Sequence, residues 1–253
     1  MTDANVRIGQ WTAWGGAGQD GFYIKGQGLK GLFSGVGVRD KSVERPQGHG
    51  DFDIPPTRSA RFLTIGGPCI AESAERLDWY NRVLTGLLSG GESGRVVFDM
   101  PGGPLWGDAR LQGTPEFEPT LWGQRADWQL SLKFADPRLF GDARTFAAGE
   151  PAYHYGNFPA IPVFTISGDM PGGYAIDGPN GKQFRVTKPL VPGQPHVIDM
   201  ATGWLTVGGV VQTGVVARGD VWAIPGGAQV TNYVTPITTG SATTSILVRS
   251  TYI

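Results

Sequence analysis

The sequence predicts an all-β protein that carries one α-helix and is divided into two β domains. Three observations predict it. Apolar and polar residues alternate with period two through most of the chain, glycine (40) and proline (19) are frequent enough to punctuate many short elements, and a single segment shows helical spacing. A length of 253 residues suits two ordinary domains, and 40% hydrophobic with 11% aromatic residues excludes a disordered chain.

Taken in order, "GFYIKG", "VGVRDKSVE", "ARFLTIGG", "RVVFDM" and "DWQLSLKFAD" alternate in the first half, and "VFTISGDM", "KQFRVTK", "HVIDMATGWLTVGG" and "TTSILVRSTYI" in the second. Each reads as a strand with one buried face. "GGAGQDG", residues 15–21, reads as a loop. The exception to alternation is "ESAERLDWYNRVLTGLLSGG", which places Leu77, Tyr80, Leu84, Leu87 and Leu88 on one stripe of a helix over residues 73–89. Ser73 suits its N-cap, and Gly90 or Gly91 its end.

The boundary falls after "KFADPRLFGDARTF". Asp136-Pro137 removes a ladder donor, and "AAGEP" supplies turn-prone residues, giving domains of 1–148 and 149–253. Charge divides the chain as well. Residues 1–150 hold 16 Lys and Arg with 18 Asp and Glu, whereas residues 151–253 hold 5 and 4. A β unit with so few charges must cover its surface with Thr, Ser, Gly, Asn and backbone. That suits a sandwich that packs against neighbours or meets neutral ligands.

Several classes of function are set aside by the same reading. A net charge of -1 without a basic block gives no phosphate-neutralising stripe, so no specific nucleic-acid binding is expected. "MTDANVRIGQ" lacks the pattern of a secretion signal and no apolar run approaches a membrane span, so assembly in the cytoplasm, away from membranes, is expected. Cys69 stands alone and reads as a small buried hydrophobe. The histidines His49, His154 and His196 lack metal-ligand spacing, so neither metal nor cofactor is expected. "GQGLKG", residues 26–31, fits G-x-G-x-x-G, but an alternating segment follows it where a nucleotide site needs a helix. The acid pairs Asp51 with Asp53 and Glu116 with Glu118 could share strand faces, as a glycoside hydrolase would use them, but same-face acids are more often the solvated side of an amphipathic sheet. Among the aromatics of the second half, Tyr174, Trp204, Trp222 and Tyr233 are available to stack on sugars. Trp204, following the "DMATG" turn, is the better exposed candidate, although core is its leading reading, and Tyr174 is a second candidate for glycan binding. Trp222 reads as core.

The order and spacing of the motifs also carry a resemblance. "WQLSLKFADPRLFGDARTF", then "YGNFPAIPVFTISGDM", then "GPNGKQFRVTKPLVPGQPHVIDMATGWLTVGG" and a late "VWAIPGGAQV" are together similar to the distal tail protein of long-tailed, non-contractile bacteriophages. "GHGDFDIPPTRSARFLTIGG" is similar to that family's Gly-rich turn leading into a strand. The opening "WTAWGGAGQDGFYIKGQGLKGLF" has no close counterpart in it. The resemblance implies a tail-tube-like β-sandwich with one helix as the first domain and a galectin-like, carbohydrate-module-like β-sandwich as the second. It implies a hexameric ring at the distal end of the virion tail, joining the tail tube protein to the tail-tip hub protein around the channel for genome ejection, with the tape measure and receptor-binding proteins as further neighbours. Such a subunit is structural and not an enzyme. Leu77, Tyr80, Leu84 and Leu87 are candidates for ring packing, and burial against their own sheet is the competing role. Host glycan bound by the second domain, or glycan hydrolysis, are the alternative readings.

Overall fold

A computed structural model describes residues 4–16, 18–120 and 123–253. Ala17, in the expected loop at 15–21, and the first three residues lie outside that set. The chain separates into two compact units, Met1–Leu139 with Ile253, and Phe140–Tyr252.

In the first unit seven strands close into a barrel. Their order is Arg125–Phe134, Arg61–Ile70, Gly21–Tyr23, Trp11–Trp14, Asn5–Ile8, Gly94–Asp99 and Leu105–Leu111, which returns to Arg125–Phe134. All neighbours are antiparallel except Trp11–Trp14 with Gly21–Tyr23. The sandwich expected for this half is therefore corrected to a closed barrel. Alternation specifies a buried face, but whether the outer strands meet depends on tilt and stagger. Here they meet through Arg110 opposite Lys133 and Leu111 opposite Leu132.

The interior follows from the alternation. Ala126, Trp128, Leu130, Leu132 and Phe134 are buried at every second position of one strand. Trp11, Phe22 and Trp128 meet with ring centroids 5.4 to 5.5 Å apart, and Tyr80 of the helix stands edge-on to Phe22 at 5.1 Å. The G-x-G-x-x-G run is explained by close backbone packing. Leu29–Lys30 pairs with Ile65 and Thr64, and a Cβ on Gly28 would overlap the Gly66 carbonyl.

The helix spans Ala74–Gly86, with the Ser73 hydroxyl accepting the Arg76 amide at 3.2 Å as an N-cap. It ends sooner than the glycines at 90 and 91 suggest, because Leu88 adopts a left-handed φ of 53° and turns its side chain into the core.

Arg61 is the unexpected feature of this unit. It is 3% exposed and lies on the inward face of its strand. Its guanidinium donates to the carbonyls of Gly31, Leu32, Ser34 and Pro137 at 3.0 to 3.3 Å. Burial lowers its pKa, and no carboxylate stands within ion-pair distance among the described residues. The Asp-Pro turn thus does more than end a strand. Pro137 supplies an acceptor to a buried cation, while Asp136 and Arg138 pair at 2.6 Å on its rim. Burial pushes the Asp136 carboxyl up, but the Arg138 hydrogen bonds and charge outweigh it and hold the group below its usual range.

In the second unit one sheet runs Leu139–Ala147, Ser241–Tyr252, Val163–Asp169, His196–Asp199, Trp204–Val207 and Val210–Val211. A second sheet runs Val216–Gly219, Gln183–Val186, Tyr174–Asp177 and Tyr233–Pro236. Both contribute to one core. Phe164, Ile166, Ile198, Leu205, Ile246 and Val248 come from the first, and Tyr174, Ile176, Phe184 and Val186 from the second. Trp222 is buried as expected, its Nε1–H donating to Asn232 at 3.0 Å. His154 is buried in a defined tautomer, its Nε2–H donating to the Ile224 carbonyl and its Nδ1 accepting the Gly156 amide. Tyr174 is also buried, and its hydroxyl shares a hydrogen bond of 3.0 Å with His196 Nδ1. Burial, with a smaller push from the Lys188 charge, lowers the His196 pKa.

Two predictions follow from these interior groups. Arg61→Met leaves four carbonyls without their donor and is expected to lower stability by about 3 kcal/mol in urea unfolding. Arg61→Lys should not rescue it, because a single ammonium cannot reproduce the planar fork. For His196, the unfolded ring (pKa about 6.5) binds more protons than the folded one as pH falls. Stability of the second unit should therefore decline from about pH 6.5 downward and level off below the folded pKa. His196→Gln removes that decline, so the stability gap between wild type and variant should be narrower at acid pH than at neutral pH.

Candidate functional site

The residues singled out for chemistry do not converge. Cys69 is fully buried, and burial together with the Asp20 charge pushes its thiol up to about 12, which suits packing and not nucleophilic attack. Glu116 and Glu118 project from the exposed strand Glu116–Pro119, with Glu116 accepting from Gln129. Asp51 and Asp53 lie on an exposed ribbon, where they line an open hollow with Asp40 and Phe52. Among the described residues no three His, Cys, Asp or Glu side chains are placed to hold a metal ion.

Some exposed apolar side chains are grouped on surfaces instead. In the first unit the chain between Gly37 and Arg58 forms an arm of two stacked ribbons. Val38–Arg39 pairs with Thr57–Arg58, and Val43–Glu44 with Asp51–Phe52. Every residue from Gly37 to Arg58 is exposed. The strand with a buried face expected for "VGVRDKSVE" is thereby corrected, since Val38 and Val43 are each 55% exposed and Phe52 50%. Alternation in this segment reflects two-residue ribbons whose side chains are exposed on both faces. The Arg45 guanidinium sits 5.6 Å from the Phe52 ring centroid. At the root, Arg58 donates to the Val36 carbonyl and Ser59 to that of Gly37, so the arm leaves the Arg61 clamp in a fixed place.

The helix stripe is mostly internal. Leu77, Tyr80 and Leu84 are buried in their own unit, and the Tyr80 hydroxyl donates to Asp20 at 2.8 Å. Leu87 is only half-buried. With Val83, Ile8 and Trp11 it lines a cleft of about 520 Å³ at the C-terminal end of the helix, with Glu92 and Arg95 also on its lining.

In the second unit Trp204 is 58% exposed, whereas the Tyr174 ring is wholly buried and offers no face to a ligand as placed. The turn before Trp204 is built by Asp199, whose carboxylate accepts the Ala201 amide and whose carbonyl accepts the Gly203 amide, both at 2.8 Å. Gly203 takes a φ of 68°, a conformation that glycine adopts freely. Register then sets Trp204 beside Asp199, Val163 and exposed Leu247 in one row of the outer sheet face. Val210 and Val211 lie exposed on the terminal strand of that sheet, and Tyr233 is exposed on the other sheet. Arm and cleft were missed in the sequence, since alternation in "VGVRDKSVE" does not reveal that neither face is covered and the helix stripe does not reveal the gap beside Leu87. For Trp204 the leading expectation of a place in the core is corrected, since the turn at Asp199 leaves its ring exposed.

No protein-family model matches the chain, and no curated protein matches it. Among solved structures, the chain has a fold of the kind found in phage adsorption hubs. The particular likeness is to the Dit protein of SPP1, described as a paradigm of the hub adsorption apparatus in phages infecting Gram-positive hosts. It has a TM-score of 0.73 and 13% identity, and covers 99% of both chains. The phage P2 baseplate, in activated conformations with Ca and with Sr, also aligns over 96% of this chain and 97% of that one. At 11% identity and a TM-score of 0.46 it carries no argument.

Proposed function

We propose that this chain is a distal tail protein of a long-tailed, non-contractile phage, a structural subunit without enzymatic activity. Its copies close into a hexameric ring at the distal end of the virion tail, joining the tail tube protein to the tail-tip hub and lining the channel through which the genome leaves. The tape measure and receptor-binding proteins are its further neighbours, and assembly takes place in the host cytoplasm. The observation that carries this reading is the likeness to SPP1 Dit over 99% of both chains, which agrees with the resemblance in the sequence motifs. Physical chemistry supports it as well. Exposed apolar side chains gather on the arm, as Val38, Val43, Phe52 and Ile54, and on one sheet of the second unit, as Trp204, Val210, Val211 and Leu247, and such surfaces suit contacts with other chains. A head-to-tail contact that closes forms a ring and covers those surfaces in every copy.

The domains proposed are a tail-tube-like one over 1–148 and a galectin-like one over 149–253. A second reading is favoured by Trp204, whose exposed ring beside Asp199 on a face poor in charge suits stacking on a neutral glycan.

For the ring, mass measurement with negative-stain microscopy of the purified chain should give a hexamer with a central hole. A monomer at every concentration counts against the ring. For the glycan, Trp204→Ala should abolish any signal of the full chain on a glycan array while leaving its thermal unfolding unchanged. An array on which wild type and variant are equally silent leaves the second unit a scaffold.

A further inference from the structure

Two features of the first unit are complementary and stand apart. The arm is exposed throughout, and near its tip Phe52, flanked by Asp51 and Asp53, carries Arg45 beside the ring. Arg45 has no carboxylate within ion-pair distance among the described residues. The cleft at the helix end is concave, walled by Ile8, Trp11, Val83 and Leu87, with Gly9 and Gly86 leaving it open.

Charge is complementary too. Glu92 on the cleft lining has no ion-pair partner among the described residues, while Arg95 is already held by Asp108 at 3.2 Å and lies 3.8 Å from the Trp106 ring centroid. The last turn of the helix carries no basic residue, so the negative end of its dipole lies at the same place. The cleft therefore selects a cation with an apolar companion, and the arm presents that pair.

Position argues against an arm filling its own cleft. The arm is rooted at Arg61, at one end of the Arg61–Ile70 strand. Trp11 packs on Phe22 and Trp128, which pair with Cys69 and Gly67 near the other end, roughly 25 Å along a strand of this length. A knob and a hole at separate places on one chain make a heterologous contact between copies.

We infer that the arm tip of one copy seats in the helix-end cleft of the next, with Phe52 against Leu87 and Val83 and with Arg45 facing Glu92. The inference deepens the ring reading and rests on it.

The test uses the full chain. A photo-reactive phenylalanine analogue at position 52 is cross-linked in a mixture of isotopically light and heavy chains, so that links between copies are told from links within one. Links should join light to heavy chains and fall within residues 83–95. Arg45→Glu and Glu92→Arg should each raise the concentration for half-assembly by about tenfold or more, and the double reversal should restore it. Unchanged thermal unfolding would show that these exposed substitutions leave the fold intact. Links within one chain, or an assembled particle whose links fall elsewhere and whose double variant is only additively weakened, would overturn the contact and leave the ring reading standing. Links in the cleft of a closed dimer would keep the contact and overturn the ring. A chain that stays monomeric without intermolecular links would overturn both.

Discussion

The strand Arg125–Phe134 is paired along both edges, and the first unit depends on that. Its ten residues face Arg61–Ile70 on one side. On the other side it is shared between Glu116–Pro119 and the closing pairs at Arg110 and Leu111. Burying Trp128, Leu130, Leu132 and Phe134 contributes about 2 kcal/mol each relative to exposure, and all four point inward only because the barrel is shut. Opening it would expose that face and a row of unpaired backbone groups.

Closure also determines where a charge can be buried. The inward alternation of Arg61–Ile70 places Arg61 inside the barrel end, where no water can solvate it freely. Its hydrogen bonds to Gly31, Leu32, Ser34 and Pro137 join the arm root to the turn after Phe134. Carbonyls are weaker partners than carboxylates, but four of them converge without adding a second buried charge. An arm exposed along its whole length can thus leave the barrel from a rigid base.

The second unit is built on the opposite economy of charge. In its interior Tyr174 pairs with His196 and Trp222 with Asn232. Its outer sheet face offers hydroxyls, valines and Trp204 with few ions. Such a surface has little long-range steering and relies on shape and contact area. The arm differs, since Arg45 and the acids around it can select a partner by sign.

How much of this was legible in the sequence follows from which interactions are local. Period-two alternation located the strands carrying Val96 and Phe98, Leu130 and Leu132, and Ile246 and Val248. Helical spacing with Ser73 located the helix, and isolation marked Cys69 as core. These depend on neighbours within a few residues, which the sequence displays directly. The closure of the barrel, the cation at Arg61, the burial of Tyr174 and the exposure of the arm were decided by tertiary structure alone. Arg61 and Val38 look alike as members of alternating strands, and only the pairing of segments distant along the chain gives one a ring of carbonyls and the other bare solvent.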